Sequence, residues 1–363
     1  MKKNESSHKI YSIQMLRAVS AWLVVFHHYM QVFYNFNYDS IIGHFFSTVG
    51  HFGVDIFFVI SGFVIFLTIE HKHYPAHIFF LNRILRVVPP YWVATIILVP
   101  IVSIFHSSVT ELYFKPNTAS LIKSLLFIPH QNPAGFGLYP FLTVGWTLNY
   151  EMLFYTFASV SLVLSQKRWF YICVVFLWMM PVFYKESWPY GAILSNSHLY
   201  EFIAGMIIAF LYLWLKRNRY EFSNRIWIGA LGGVVLFLLG AAVYMSGHFR
   251  PLSAAIFVVS ALSFERYCIA TNSFLSWLQL GNMSYSTYLV HPLALIITVY
   301  FFGQSPPLLG MFFSLAAYIA ITLTLSCLSY RWIETGYVMK NLKVWSLRVL
   351  SIRLGDRNRC IIP

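Results

Sequence analysis

Charge is what this sequence has least of. Asp, Glu, Lys and Arg make up 10% of its 363 residues, against about 25% in an ordinary soluble domain. Only 12 residues are acidic, and 58% are hydrophobic. So little polarity excludes a water-soluble globule and places the chain among integral membrane proteins. Cysteine is scarce as well. Cys173, Cys268, Cys327 and Cys360 show no paired spacing, and none falls in a segment placed outside the cell, which excludes a disulfide framework and a cysteine-based zinc site. No soluble catalytic domain, internal repeat or low-complexity linker is visible, so any chemistry belongs inside a helix bundle or at its mouths.

What the chain does have is long apolar runs. Ten segments read as spans: 11–34, 52–69, 88–106, 143–165, 169–184, 198–215, 226–245, 251–264, 284–302 and 308–329, each read by length and hydrophobicity. Segment Ser120–Pro129 is apolar but too brief to cross, so it is expected at the interface or as a re-entrant stretch. The first run follows Lys2, Lys3 and Lys9 as a signal peptide would, but it is too long for one and reads as retained.

The net charge of +13 resides in short loops and the C-terminal tail, a pattern of membrane topology and not of nucleic-acid binding. With the N-terminus in the cytoplasm, twenty of the 25 Lys and Arg fall inside, Lys115, Lys123, Lys185 and Arg250 fall outside, and Arg17 lies in the membrane. The expected fold is therefore an all-α polytopic bundle of about ten spans with both termini cytoplasmic.

The first span carries the most informative pair. Arg17 and His28 are eleven residues apart, which on a helix returns to within about 20° of the same face, about 16 Å along the axis. An ionisable group at membrane depth costs about 2.5–3.5 kcal/mol even on the lenient insertion scale, so a stripe holding two of them is expected to line a polar path. His27 lies about 80° off that stripe and reads as a helix–helix hydrogen-bond partner.

Asp55, Glu151 and Glu201 also sit in or at the ends of hydrophobic segments. On the expected topology they share the outer side with His28, and a histidine beside a carboxylate is a general base near neutral pH. On the cytoplasmic side, Arg83 and Arg86 are spaced i,i+3 on a short amphipathic helix expected to end before Pro89-Pro90. The pair suits a phosphate-bearing ligand, with Arg17 further in. Single arginines there also serve as positive-inside anchors, and Asp55 also fits a helix N-cap. Ser284, Tyr288 and His291 share one face of the ninth span, where lining a pathway and packing account for them equally well. His71, His73 and His77 lie in an exposed cytoplasmic loop with no cysteine partner, so no metal is expected.

These motifs resemble the acyltransferase 3 family of integral membrane acyltransferases, in its exopolysaccharide and O-antigen O-acetyltransferase form. SIQMLRAVSAWLVVFHHY (Ser12–Tyr29) is similar to the family's opening arginine followed, after ten intervening residues, by histidine, which selects Arg17 and His28. GVDIFFVISGF (Gly53–Phe63), NRILRVVPPYW (Asn82–Trp92), GWTLNYEMLFY (Gly145–Tyr155), HLYEFIAGM (His198–Met206), GNMSYSTYLVHP (Gly281–Pro292) and RWIE (Arg331–Glu334) resemble the later blocks in order. The likeness covers roughly residues 10–336.

The resemblance implies a transmembrane acyltransferase domain over 1–336, followed by a cytoplasmic basic tail over 337–363. It implies transfer of an acyl group, usually acetyl, from acetyl-CoA as co-substrate to a sugar hydroxyl at the outer face of a bacterial inner membrane. On that reading His28 is the general base, with Glu151 or Asp55 orienting it. Arg17, Arg83 and Arg86 hold the CoA, and Glu201, Ser284, Tyr288 and His291 line the pathway. The implied partners are membrane lipid, acyl-CoA and a lipid-linked oligosaccharide or polysaccharide acceptor, with no nucleic acid and no metal. Two alternatives stay open: a different donor such as succinyl-CoA, and a proton-coupled transporter or flippase of a polysaccharide precursor.

Overall fold

Backbone in a hydrocarbon environment must bond within its own segment, so long apolar runs become helices. In the computed structural model every regular element among the described residues is helical, with no strand. Described are residues 10–341, apart from 39, 108–109, 111–114, 116, 136, 184–188, 219–225, 248, 272–274 and 338. The basic stretch beyond 341, with Cys360, lies outside them, as do Lys185, Arg219 and Arg225.

The chain builds two units whose segments alternate. The first begins with α1 (Tyr11–Tyr34), α2 (Ile41–Val49) and α3 (Phe52–Lys72). The second takes α4 (Ala76–Ile104), α5 (Thr118–Leu125) and α6 (Trp146–Leu164). The first resumes with α7 (Trp169–Phe183), α8 (Pro189–Leu194), α9 (Leu199–Arg217), α10 (Ile226–Met245), α11 (Arg250–Ser263), α12 (Glu265–Thr271) and α13 (Leu275–Asn282). Then α14 (Ser284–Phe302) and α15 (Leu308–Leu328) belong mainly to the second.

Nine of the ten expected spans are helices with ends within three residues of the sequence reading. Five segments are long and apolar enough to cross a membrane: Phe52–Lys72, Ala76–Ile104, Tyr190–Arg217, Ser284–Phe302 and Leu308–Asn341. Shorter apolar helices cover Trp169–Phe183, Gly229–Met245 and Arg250–Ser263. The molecule is a multi-pass helical membrane protein.

The remaining span, expected over 88–106, departs from the sequence reading. Where a short amphipathic helix was expected to stop before Pro89-Pro90, α4 runs unbroken from Ala76 to Ile104 with Pro89, Pro90 and Pro100 inside it. Proline removes one N–H and crowds the preceding turn. In lipid, however, leaving the helix would strand more backbone groups than the prolines do, so the helix continues. Beside it, α5 is the short element expected over Ser120–Pro129. Asn117 caps it by accepting from the Ser120 amide at 2.9 Å. Its last carbonyls accept from Tyr91 Oη (Ser124, 3.2 Å) and Trp92 Nε1 (Leu125, 2.7 Å).

In the first unit, α3 packs along α9. A Cβ added at Gly62 would collide with the Phe202 carbonyl, and one added at Gly205 with that of Val59. The two backbones therefore touch directly, as small residues permit between membrane helices. Gly53 meets the Ser20 carbonyl of α1 in the same way, and Gly281 of α13 meets Gln14.

Gly205→Val forces this crossing apart. It is expected to cost about 1–3 kcal/mol through overpacking and to lower the melting temperature of the detergent-solubilised protein by several degrees. Gly232→Ala, whose Cβ meets nothing within 4 Å, is the control and is expected to leave the melting temperature unchanged.

Candidate active site

The candidate residues divide between the two units. Arg17, His28, Asp55, Glu201 and Ser284 belong to the first; Arg83, Arg86, Glu151, Tyr288 and His291 belong to the second.

On α1, Arg17 and His28 are both half-buried, and Arg17 Nη1 lies 3.4 Å from Gln14 Oε1. His27 makes the interhelical contact expected of it, with Nδ1 3.0 Å from the Phe46 carbonyl of α2. That contact places its ring between two others. The His27 centroid lies 5.6 Å from that of His28 and 5.5 Å from that of His51. The His51 ring lies 6.4 Å from Tyr244, and Tyr244 Oη donates to the Thr48 carbonyl at 2.8 Å. A run of rings thus leads from His28 to a cavity of about 400 Å³, whose lining includes His44, Thr48, His51, Tyr244 and Arg250. His51 and Tyr244 carried no sequence signal, because they come from a loop and a helix end nearly 200 residues apart.

His51, ahead of α3, is held far below the usual histidine range, at about 4. Burial is the main cause; the Arg250 charge and His27 add to it, and Asp55 opposes it. His51 is therefore neutral at pH 7 and offers the cavity an imidazole that both donates and accepts.

Asp55 is not the N-cap of α3. It sits in the first turn, 1% exposed, and its Oδ1 lies 3.4 Å from His198 Nδ1. Glu201, also 1% exposed, occupies the first turn of α9 and places Oε1 3.1 Å from the same nitrogen. Both carboxylates lie at helix N-termini, where the macrodipole favours negative charge. Asn196 Oδ1 accepts from the His198 amide at 3.0 Å, and Phe58 meets the ring edge-on. Sequence reasoning missed His198, although its i,i+3 spacing from Glu201 was the available signal.

In the second unit, Arg86 is exposed, whereas Arg83 turns inward over the Phe79 ring, 5.7 Å from its centroid. Tyr155, Glu151 and Arg86 lie within its electrostatic reach. Tyr155 Oη donates to Glu151 Oε2 at 2.8 Å. The Arg83 Nε is buried with no partner among the described residues. Tyr288 is engaged in packing: its Oη donates to the Val144 carbonyl at 2.8 Å and lies 3.0 Å from Thr147 Oγ1. His291 is fully buried, with Nδ1 3.3 Å from the Thr287 carbonyl. The Ser284 hydroxyl is buried too, without a partner among the described residues.

A helical membrane bundle with buried histidines and carboxylates defines a class of membrane enzymes and transporters, and the comparisons narrow it. Residues 10–331 match the acyltransferase domain model Acyl_transf_3. The exopolysaccharide production protein ExoZ of Rhizobium meliloti (strain 1021) is 31% identical over 261 residues, covering 70% of this chain and 79% of its own length. Proteins of Staphylococcus aureus strains COL and MSSA476, each named "Putative O-acetyltransferase", are 26% identical over 346 residues, which is 83% of this chain. This chain spans about half of their length, 55%. No solved structure matches. The chain belongs to the acyltransferase 3 family and is an acyltransferase.

A histidine held neutral by the fold is protonated more readily when unfolded, so acid favours the unfolded chain. Between pH 6.5, its ordinary value, and about 4, stability contributed by neutral His51 is lost as pH falls. A fall in melting temperature from pH 7 to pH 5 is expected, with a shallower slope in His51→Gln.

Proposed function

We propose that this protein is an inner-membrane O-acetyltransferase, with both termini cytoplasmic, that moves an acetyl group from acetyl-CoA to a hydroxyl of a cell-surface polysaccharide such as an exopolysaccharide, capsule or O-antigen. The observation that carries this reading is the run of rings from His28, through His27 and His51, to the cavity beside Tyr244 and Arg250. It joins an ionisable group of α1 to a space that admits a sugar. The name of the Rhizobium relative supports an exopolysaccharide acceptor.

In this scheme Arg86, exposed on α4, makes first contact with the CoA phosphates and Arg83, turned inward on the same helix, follows; Arg17 is the first unit's candidate for the same ligand. Guanidinium groups suit phosphate because their donors are fixed in a fork. His28 removes the proton from the sugar hydroxyl as its oxygen attacks the thioester carbonyl. The C–S bond breaks, CoA leaves as thiolate and takes up the proton, and an acetate ester remains on the sugar. Asp55, of the same unit as His28, is the candidate for orienting the base, and Glu151 is the carboxylate candidate of the second unit. A face of Tyr244 offers a platform for a pyranose ring. Glu201, Ser284, Tyr288 and His291 remain candidates for the substrate path, Tyr288 with the strongest packing role.

The test is the O-acetyl content of surface polysaccharide, read by proton NMR before and after mild base, in a deletion strain complemented with wild type or with His28→Ala. Acetate is expected to vanish on deletion, to return with wild type, and to stay at least about a hundredfold lower with His28→Ala, the scale of a lost general base. Unchanged ester content with mislocated polymer would point to transport. Succinate in place of acetate would change the donor.

A further inference from the structure

Two buried carboxylates that face one imidazole nitrogen raise the question of what balances their charge. Asp55 and Glu201, both 1% exposed, stand close enough to interact with each other. His198 Nδ1 lies 3.4 Å from one and 3.1 Å from the other. One N–H satisfies one oxygen well. Asp55 Oδ2 and Glu201 Oε2 are buried with no hydrogen-bond partner among the described residues. Anions removed from water persist only when paired or bound to a cation. The acetyl-transfer scheme makes no use of His198.

We propose that Asp55, His198 and Glu201 bind one divalent first-row transition-metal ion of the zinc type. Each residue offers one donor atom, and these atoms lie within 4.8 Å of one another. Around a tetrahedral ion with bonds of about 2.0–2.1 Å, donor atoms stand about 3.3 Å apart. The 3.4 and 3.1 Å separations therefore already have the length of two edges of such a shell. A neutral imidazole with two carboxylates gives a neutral site when it holds a divalent ion. That donor set suits zinc and its neighbours and disfavours calcium and magnesium, which take oxygen ligands. Three protein ligands leave a fourth position open.

The surroundings fit a built site. The edge contact with Phe58 restrains the His198 ring. The 19% exposure of the His198 side chain leaves an approach for the ion. The crossing of α3 and α9 at Gly62 and Gly205 holds the ligand-bearing turns together before any ion arrives. Asp55 and Glu201 are also candidates in the acetyl-transfer scheme, so the test reads metal and not activity.

The full chain is purified in detergent without a tag or chelator, and its metals are measured by mass spectrometry after exposure to Zn²⁺ and dialysis. About one equivalent per chain is expected for wild type, falling at least tenfold in Asp55→Asn/Glu201→Gln, whose amides preserve shape. Stripped wild-type protein reloaded with Co²⁺ is expected to show intense visible bands of a tetrahedral site and a higher melting temperature. The cobalt arm holds even where the double variant does not fold. Absence of stoichiometric metal together with absence of the cobalt bands overturns the proposal and leaves a proton shared by the carboxylates. Zinc that survives the double substitution but is lost in His71→Ala/His73→Ala places the ion on that other histidine pair and also overturns it.

Discussion

The first unit depends on the contact of two backbones. Between membrane helices there is little hydrophobic drive to associate, because lipid is as apolar as leucine, so close approach at small residues supplies the attraction. Gly62 and Gly205 supply it here. Asp55 lies seven residues before the first glycine and His198 seven before the second, so α3 and α9 run in the same sense with matched register. The polar cluster sits about two turns up from the crossing. The fold thus gathers Asp55, His198 and Glu201 by geometry that leucine-sized side chains at those glycines would forbid.

Most polar side chains at depth are silenced locally. Ser20, Ser161 and Thr298 donate to the carbonyl one turn back, at Leu16, Phe157 and Ala294. Such bonds satisfy a hydroxyl without a tertiary partner and explain how serine and threonine populate apolar helices. A carboxylate or guanidinium has no such escape, since it carries charge and several donor or acceptor sites. Asp55, Glu201 and Arg83 each retain a buried unpartnered atom among the described residues. The hydroxyls of Ser12, Thr95, Ser284 and Thr322 are buried and unpartnered among the described residues as well, but for a neutral hydroxyl the cost is far smaller than for a charge.

Much of this was legible in the sequence, and what was not has a physical cause. Helix positions followed from apolar run length, and nine of ten spans held to three residues at both ends because lipid leaves the backbone few choices. The exception, α4, failed for the converse reason: Pro89-Pro90 would end a helix in water, where loops are hydrated, but not here. His28 and Arg17 were selected by periodicity along one element. His198, His51 and Tyr244 were not, because their significance arises from contacts across helices that no single-segment pattern encodes. Arg83 and Arg86 share a sequence spacing, yet one is turned inward and the other exposed, a difference set by neighbours such as Phe79.

The arrangement of the chain bears on the choice between catalysis and transport. Transporters commonly consist of matching halves, with a solute site formed by helices broken at corresponding places. Here the two units interleave along the sequence, and their shares are unequal: α1–α3 with α7–α13 in one, α4–α6 with most of α14 and α15 in the other. The proline-bearing α4 remains continuous through Pro89, Pro90 and Pro100, where a transporter helix would unwind to expose its carbonyls. In the first unit two groups of proton-transferring and ligand-binding side chains stand out, the ring run from His28 and the Asp55–His198–Glu201 turn. Such grouping is what chemistry at a fixed point needs.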